Sequence, residues 1–279
     1  MTLDSLLIII GFLLGAICGS FFNVVIYRLP LGESIVMPPS HCRKCGEPVK
    51  WYDNIPLISY IVLGGRCRVC KEPFSFRYFV VELLTAILFA LVVARHVEIT
   101  TGGAVLKGVG ITLFHLFFVG GMIVSAFTDL DHHIIPNEVT YPGVPLGLLG
   151  AFLFPKMMGL EDSAHLKSLL YSFIACVVAG GFLFLIGTVM GKILKKEALG
   201  MGDVKLLAVI GAFLGWKLAL LTVLLSSLVG LIGHVVVVSV KKGEWHSEIP
   251  FGVYIVPAAL ISYFWGDALI GWYVRTLVL

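Results

Sequence analysis

Two aspartates lie at the ends of apolar segments, where an ionisable side chain is energetically costly. Asp129 ends one apolar run, and Asp203 follows the glycine turn Gly200-Met-Gly202 and precedes another. Carboxylates in such places usually have a function. Two carboxylates that face each other cannot both ionise, so one can act as an acid while the other acts as a base. The pattern predicts an aspartyl protease dyad that activates water against a peptide carbonyl and protonates the leaving nitrogen.

The glycines of the turn suit this chemistry. Because Gly200 and Gly202 have no side chains, a substrate strand could lie against the backbone beside Asp203. The same motif also begins many ordinary helices, with the aspartate as a cap, so the motif alone leaves a purely structural role open. Asp131 remains a competitor for the first aspartate of the dyad, because it lies two residues after Asp129 and periodicity does not separate the two.

Four of the six cysteines form two Cys-x-x-Cys pairs in the one long polar stretch of the chain. Residues 46–66 separate the two pairs, which are Cys42 with Cys45 and Cys67 with Cys70. This spacing is typical of a four-thiolate zinc site, and a reducing cytoplasm keeps thiols free for metal. A closed shell of four ligands leaves no open position for chemistry. We therefore predict a structural zinc that lets a loop with few core residues fold.

The composition indicates that the helices which position these groups lie in a membrane. Of the 279 residues, 58% are hydrophobic and 13% are charged, whereas soluble domains carry about 25% charged residues. The mean hydropathy is +0.99. The net charge of +3 is too small to predict nucleic-acid binding. The predicted fold is an all-α polytopic membrane protein with about eight transmembrane helices and a small cytoplasmic zinc-binding loop domain.

Three regions organise the predicted chain: a first transmembrane helix (1–27), the four-cysteine zinc loop (28–77) and a multi-helix protease domain (78–279). The first run has no basic residues before it, so we interpret it as a retained helix rather than a removed signal peptide. Small residues at four-residue spacing predict close helix packing there; they are Gly11, Gly15 and Gly19. The apolar runs predicted to cross the membrane are residues 5–27, 78–94, 109–128, 138–154, 168–191, 218–240, 251–264 and 267–279, with the last turnaround between the final two. A short apolar stretch, residues 206–215, follows the glycine turn.

Charge sets the predicted orientation. The loop 28–77 carries eight Lys or Arg residues against four acids, and the positive-inside rule places such a loop in the cytoplasm. Asp129 and Asp203 then lie at the cytoplasmic edge of their helices. Glu82, one turn inside the span after the loop, has two possible roles. It reaches the headgroups or pairs with Arg28 or Arg77, or it contacts a substrate amine.

Together these motifs resemble the bacterial type IV prepilin leader peptidases, which are bifunctional peptidase/N-methyltransferases. The resemblance covers almost the whole chain. It is carried by residues 19–30, the two Cys-x-x-Cys pairs, residues 51–56, residues 75–78 with Glu82, residues 127–137 and residues 200–205. It implies that Asp129 and Asp203 are the catalytic aspartates of a membrane protease.

The resemblance also implies substrates and a second activity. Cleavage would occur on the cytoplasmic side of the bacterial inner membrane, after a glycine that ends a short basic leader. The substrates would be type IV prepilins or the pseudopilins of type II secretion, and the new N-terminus would be methylated from S-adenosylmethionine. No glycine-rich dinucleotide-type fingerprint is present, so the residues that bind this cofactor stay unassigned. Residues 249–254 depart from the usual Phe-Gly-Pro of the family.

A transporter and a non-enzymatic scaffold are the alternatives to a protease. A transporter would use membrane carboxylates as ion or proton ligands, but it predicts acids near the bilayer centre and inverted repeats. A scaffold that binds a partner through the zinc loop would keep its function without Asp129 and Asp203. A presenilin-like protease shares the Gly-x-Gly-Asp motif, but the four-cysteine loop is foreign to it.

Overall fold

The computed structural model describes residues 2–101, 104–195, 199–241 and 251–278. Within these residues the regular structure is helical, with two isolated β-bridges and no strand. The prediction of an all-α fold is confirmed. The α-helices are α1 Leu3–Arg28, α2 Ile58–Val62, α3 Arg77–Thr101, α4 Val105–His132, α5 Asn137–Leu153, α6 His165–Leu194, α7 Met201–Lys241 and α8 Gly252–Tyr273. Ile249 and Pro250, in the segment that departs from Phe-Gly-Pro, lie outside the described residues.

Six helices of the described chain, α1, α3, α4, α6, α7 and α8, are long and apolar enough to cross a membrane. The polytopic character is therefore as predicted, but the number of candidate spans among the described residues is slightly lower than the predicted eight or so. Helix α5, predicted as a span, has 17 residues and contains Pro142 and Pro145. Its length is at the lower end of the range of about 17–25 residues that span a bilayer core, so it is not among these six longer helices.

Helix α7 joins two runs that the sequence divides. The predicted segments 206–215 and 218–240 form one helical element with a break in the backbone at Gly215, where φ is 76° and ψ is 170°. Glycine adopts this conformation without steric cost. The break therefore redirects the chain inside the element instead of ending one span and beginning another.

Helix α8 likewise joins the predicted segments 251–264 and 267–279. It continues through Trp265 and Gly266, which the sequence suggests as a turnaround. A Cβ at Gly266 would lie 2.5 Å from Cδ2 of Leu218. The glycine is therefore a contact point at which α7 approaches α8.

The chain divides into two compact units, Met1–Val124 and Ser125–Leu279. In the first unit α1 packs along α3 through the predicted small-residue face. A Cβ at Gly15 would lie 2.7 Å from the Cα of Ala86, and one at Gly19 would lie 2.8 Å from the Cα of Glu82. The prediction of close packing is confirmed, since these contacts leave no room for larger side chains.

In the second unit α5, α6 and α8 pack on α7. The buried face of α7 includes Leu206, Leu207, Ile210, Ala212 and Phe213. Gly211 allows a close approach to α6, because a Cβ there would lie 2.5 Å from the carbonyl oxygen of Ala175. This packing fixes the first turn of α7, which carries Asp203, within the unit that also holds Asp129.

Candidate active site and metal centre

Asp129 lies in the last turn of α4. The helix closes with a hydrogen bond from the His133 N–H to the Asp129 carbonyl oxygen (2.9 Å), and His133 takes a positive φ of 54°. Pro136 then stands immediately before α5, where it prevents a continuous helix. The Asp129 residue is only 5% exposed, so the end of α4 holds a buried carboxylate.

The first turn of α8 contacts this carboxylate. The backbone N–H of Val253 donates to Oδ2 of Asp129 (3.1 Å), and the Gly252 backbone is also hydrogen-bonded to the side chain. A Cβ at Gly252 would lie 2.6 Å from the same Oδ2. Only glycine permits so close an approach. Free N–H groups at a helix N-terminus stabilise a carboxylate, so α8 provides a fixed cradle for Asp129.

Asp203 lies in the first turn of α7 and is 8% exposed. Its N–H donates to the carbonyl oxygen of the exposed Gly200 (3.2 Å). A Cβ at Gly202 would lie 3.1 Å from Cβ of Ile135, and Ile135 is also the residue that a Cβ at Gly252 would meet at 3.1 Å. The starts of α7 and α8 therefore converge on one side chain.

This convergence brings the two predicted aspartates together. Asp129 and Asp203 are close enough for their charges to interact, and both are buried. Asp131 is exposed. Of the two candidates for the first aspartate, Asp129 and Asp131, the geometry therefore pairs Asp129 with Asp203. The pair combines burial with like charge, as acid–base catalysis by two carboxylates requires.

The sequence did not predict the roles of Gly252, Val253 or Lys205 in the structure. The Lys205 ammonium donates to Oδ1 of Asn137 (2.9 Å) and to the Tyr141 hydroxyl (3.3 Å). It thereby ties the turn that follows Asp203 to the first turns of α5. Of these three residues, only Gly252 could have been singled out from the sequence, because it is a glycine at the start of a long apolar run.

The four loop cysteines converge on one point in the first unit. Their sulfur atoms all lie within 4.8 Å of one another. The Cys42–Cys70 and Cys45–Cys67 sulfurs are 3.7 and 4.0 Å apart. Sulfurs bound at about 2.3 Å to one tetrahedral zinc would be about 3.8 Å apart. The cluster therefore has the dimensions of a site that could bind a metal such as zinc.

Two similar turns build the cluster. In each turn the N–H of the first cysteine donates to the carbonyl oxygen five residues on, from Cys42 to Glu47 and from Cys67 to Glu72, both at 2.9 Å. The residue after the second cysteine has a positive φ, 72° at Gly46 and 61° at Lys71. We call these turns the first and second knuckle.

Backbone and side-chain donors support the knuckles electrostatically. Hydrogen bonds from the backbone at Cys45, and then at Lys44, lower the pKa of the Cys42 thiol to about 6. A lowered pKa favours the thiolate that binds metal. In the second knuckle the Arg68 Nε–H donates to both oxygens of Asp53, at 3.0 and 2.8 Å, and these bonds lower the pKa of Asp53.

Glu82 holds the segment between the knuckles to α3. Its Oε2 accepts a hydrogen bond from the Leu57 N–H (2.8 Å), and the Ser20 hydroxyl also hydrogen-bonds to it. Arg28, one of the two arginines suggested as its partner, donates to the Ser34 carbonyl oxygen (3.0 Å). These contacts give Glu82 a role in holding the loop, which the sequence did not predict.

Apolar helices long enough to cross a membrane, buried aspartates at helix ends and a cluster of four cysteines together define a class. It is that of polytopic membrane proteins with a candidate aspartyl active site and a candidate metal site. Comparison with known proteins then specifies the family. The model described as Bacterial Peptidase A24 N-terminal domain matches residues 13–96, and that of the Type IV leader peptidase family matches residues 116–235.

Similar proteins named prepilin leader peptidase/N-methyltransferase extend over nearly the whole chain. That of Pseudomonas aeruginosa is 34% identical, over 94% of this chain and 92% of the relative. That of Aeromonas salmonicida is 33% identical, over 96% and 94%, and that of Legionella pneumophila is 32% identical, over 92% and 90%. No solved structure matches the chain significantly. The chain belongs to the type IV leader peptidase family.

Proposed function

We propose that this protein is a multi-pass prepilin leader peptidase and N-methyltransferase of the bacterial inner membrane. It removes the short basic leader of type IV prepilins or of type II secretion pseudopilins and then methylates the new N-terminus. The observation that carries the peptidase activity is the buried pair of Asp129 and Asp203. The near full-length similarity to enzymes with both activities in their name supports the methylation.

In the proposed mechanism the two aspartates share one proton. The ionised carboxylate takes a proton from water as the water oxygen attacks the scissile carbonyl carbon, and the protonated carboxyl donates to the substrate. When the tetrahedral intermediate collapses, the C–N bond breaks and the leaving nitrogen receives a proton from the dyad. The exposed Gly200 leaves room for the substrate backbone beside Asp203, whereas Gly202 packs against Ile135.

The substrate geometry follows from the position of the aspartates at helix ends. A basic leader is attracted to the anionic inner leaflet, while the apolar helix that follows the cut stays in the bilayer. The scissile bond of such a substrate lies at the membrane edge. The excess of basic residues in the loop 28–77 supports a cytoplasmic orientation for this edge.

Two further groups belong to the proposed enzyme. Cys42, Cys45, Cys67 and Cys70 hold a structural Zn²⁺, which the spacing of their sulfurs supports. S-adenosylmethionine supplies the methyl group for the amine that cleavage exposes.

The test is cleavage of a full-length prepilin in liposomes by the wild type and by Asp129→Asn, Asp203→Asn and Asp131→Asn. Mass spectrometry reports both the cut and the added methyl group. We expect the first two variants to lose cleavage by about 10³-fold, in the range of general acid–base catalysis, and Asp131→Asn to stay active. Normal cleavage by both Asp129→Asn and Asp203→Asn would favour a scaffold or a transporter instead.

A further inference from the structure

Helix α2, inside the four-cysteine loop, presents an apolar face that the described protein does not cover. Ile58, Ile61 and Val62 are 58%, 68% and 72% exposed. Their spacing of three and four residues places them on one side of the helix. The opposite side faces the protein, with Ser59 buried and its hydroxyl bonded to the Tyr52 carbonyl oxygen (3.0 Å).

This short helix is fixed at both ends, although a five-residue helix is not stable alone. At its start Leu57 has φ of 63° and ψ of −49°, and the Ile58 N–H donates to the Pro56 carbonyl oxygen (2.7 Å). This is a strained γ-turn. At its end the Gly65 N–H donates to the Tyr60 carbonyl oxygen (2.8 Å). The exposed face is therefore held in place rather than formed by chance.

The contacts of α2 place it beside the beginning of a membrane span. The Leu57 N–H donates to Glu82, which lies five residues after Arg77, about 7.5 Å along α3 at about 1.5 Å per residue. Side chains on a helix lean toward its N-terminus. The Glu82 carboxylate, and α2 with it, are thus level with the first turns of α3.

An aromatic cluster joins the same two elements. The Tyr60 ring lies 6.1 Å from the Phe76 ring and 5.6 Å from the Phe79 ring, measured between centroids. Phe76 is itself 62% exposed and begins a stripe of exposed apolar residues along α3. The stripe continues, every three or four residues, through Val80, Leu84, Ile87 and Leu91. In a helix that crosses the membrane such a stripe faces lipid.

The apolar face of α2 therefore continues a lipid-facing surface at the level where aromatic residues gather at membrane interfaces. The loop around it is basic, with eight Lys or Arg residues against four acids, and basic segments are attracted to anionic lipid. We infer that Ile58, Ile61 and Val62 insert into the headgroup and acyl-chain boundary of the bilayer, and that α2 anchors the four-cysteine cluster to the membrane surface. This lipid contact does not depend on the chemistry of the aspartates.

The test is photochemical. An aliphatic diazirine amino acid replaces Ile61 in the full-length protein, reconstituted in vesicles of phosphatidylethanolamine and phosphatidylglycerol. A diazirine in water gives mainly the hydrated product, whereas one among acyl chains gives lipid adducts that mass spectrometry identifies. Val69 is the matched control, because it is similarly exposed (61%) but lies in the second knuckle beside Arg68. Leu91 is the control for a lipid-facing position.

We expect lipid adducts to dominate at Ile61, as at Leu91, and the hydrated product to dominate at Val69. The same label at Val62 should behave like the label at Ile61, which guards against a local disturbance by one substitution. Hydration of both α2 positions would overturn the inference. Cross-links from them to a second copy or to another protein, in place of lipid, would also overturn it.

Discussion

The two units of the molecule bury acidic side chains in contrasting ways. In the first unit the Glu82 carboxylate accepts hydrogen bonds from the Leu57 N–H and the Ser20 hydroxyl. These bonds connect parts of the fold to each other. In the second unit Asp129 and Asp203 are brought toward each other as like charges. Donors from a distant segment hold both Glu82 and Asp129 in place, so such donors alone do not distinguish the two units. Two buried carboxylates that interact with each other raise the energy of the ionised site, which is a feature of catalytic pairs.

The largest expected effect concerns the metal centre. Replacing Cys67 and Cys70 by serine removes two thiolates from a structural zinc site, whose binding contributes on the order of 10 kcal/mol to folding. We expect the loop to lose its zinc and become sensitive to proteases, with methylation more affected than cleavage. Zinc content and limited proteolysis measure this, and Cys18→Ser is the matched control outside the cluster. A metal-free variant lacking all four loop cysteines that cleaves and methylates fully would contradict a required zinc.

A second prediction concerns the cradle of Asp129. Gly252→Ala places a methyl group 2.6 Å from the present position of the carboxylate oxygen, so the bond from the Val253 N–H must lengthen or break. Loss of a hydrogen bond to a charged group costs about 1.5–3 kcal/mol, which corresponds to a fall of roughly 10- to 100-fold in kcat for cleavage. KM should change little, because the contact holds a catalytic group rather than the substrate.

Gly271→Ala is the control for this change. It lies in the same helix, and a Cβ there meets nothing within 4 Å. It should therefore leave kcat unchanged. Equal kcat values for the two variants would show that α8 does not position Asp129.

A third prediction tests the structural role of Glu82. Glu82→Ala leaves the Leu57 N–H without its partner and releases the strained turn at the start of α2, at a cost of about 1–3 kcal/mol. Glu82→Gln keeps an oxygen acceptor and should cost less. Thermal unfolding and limited proteolysis of the loop rank the two variants. An alanine variant with wild-type loop stability, but no cleavage, would move Glu82 into the active site.

The smallest expected effects compare the two knuckles. Lys71 takes the same positive φ that glycine takes at position 46, and such a conformation costs a residue with a side chain about 1 kcal/mol. Lys71→Gly should therefore bind zinc slightly more tightly. Gly46→Ala should bind it more weakly for backbone reasons alone, because a Cβ there meets nothing within 4 Å. Competition with a chelator measures both, and affinities that change in the opposite sense would contradict the backbone explanation.

What the sequence predicts well is local. The cysteine spacing predicts a cluster because each knuckle closes within six residues, and the burial of Asp129 follows from its place at the end of an apolar run. The bond from Val253 to Asp129 joins residues 124 positions apart, and that from Leu57 to Glu82 joins residues 25 apart. The spacing of apolar residues in the sequence does not predict such contacts, because they depend on how the helices pack.

The errors in the span count have the same origin. From the sequence alone, Gly215 and Gly266 suggest that a helix is interrupted, since glycine weakens an isolated helix. In the packed molecule Gly266 admits the Leu218 side chain and Gly215 bends α7 without ending it. Packing between helices therefore decides where a span ends, and it overrides local preference.

The central claim is that Asp129 and Asp203 act in cleavage while Glu82 acts in the fold. The most direct measurement is cleavage of one full-length prepilin, in the same vesicles, by Asp129→Asn, Asp203→Asn and Glu82→Gln. The prediction is a loss of about 10³-fold for each aspartate variant, near wild-type cleavage by Glu82→Gln, and methylation of a pre-cut pilin by all three. Cleavage at the wild-type rate by either aspartate variant, or its loss in Glu82→Gln alone, would contradict the claim.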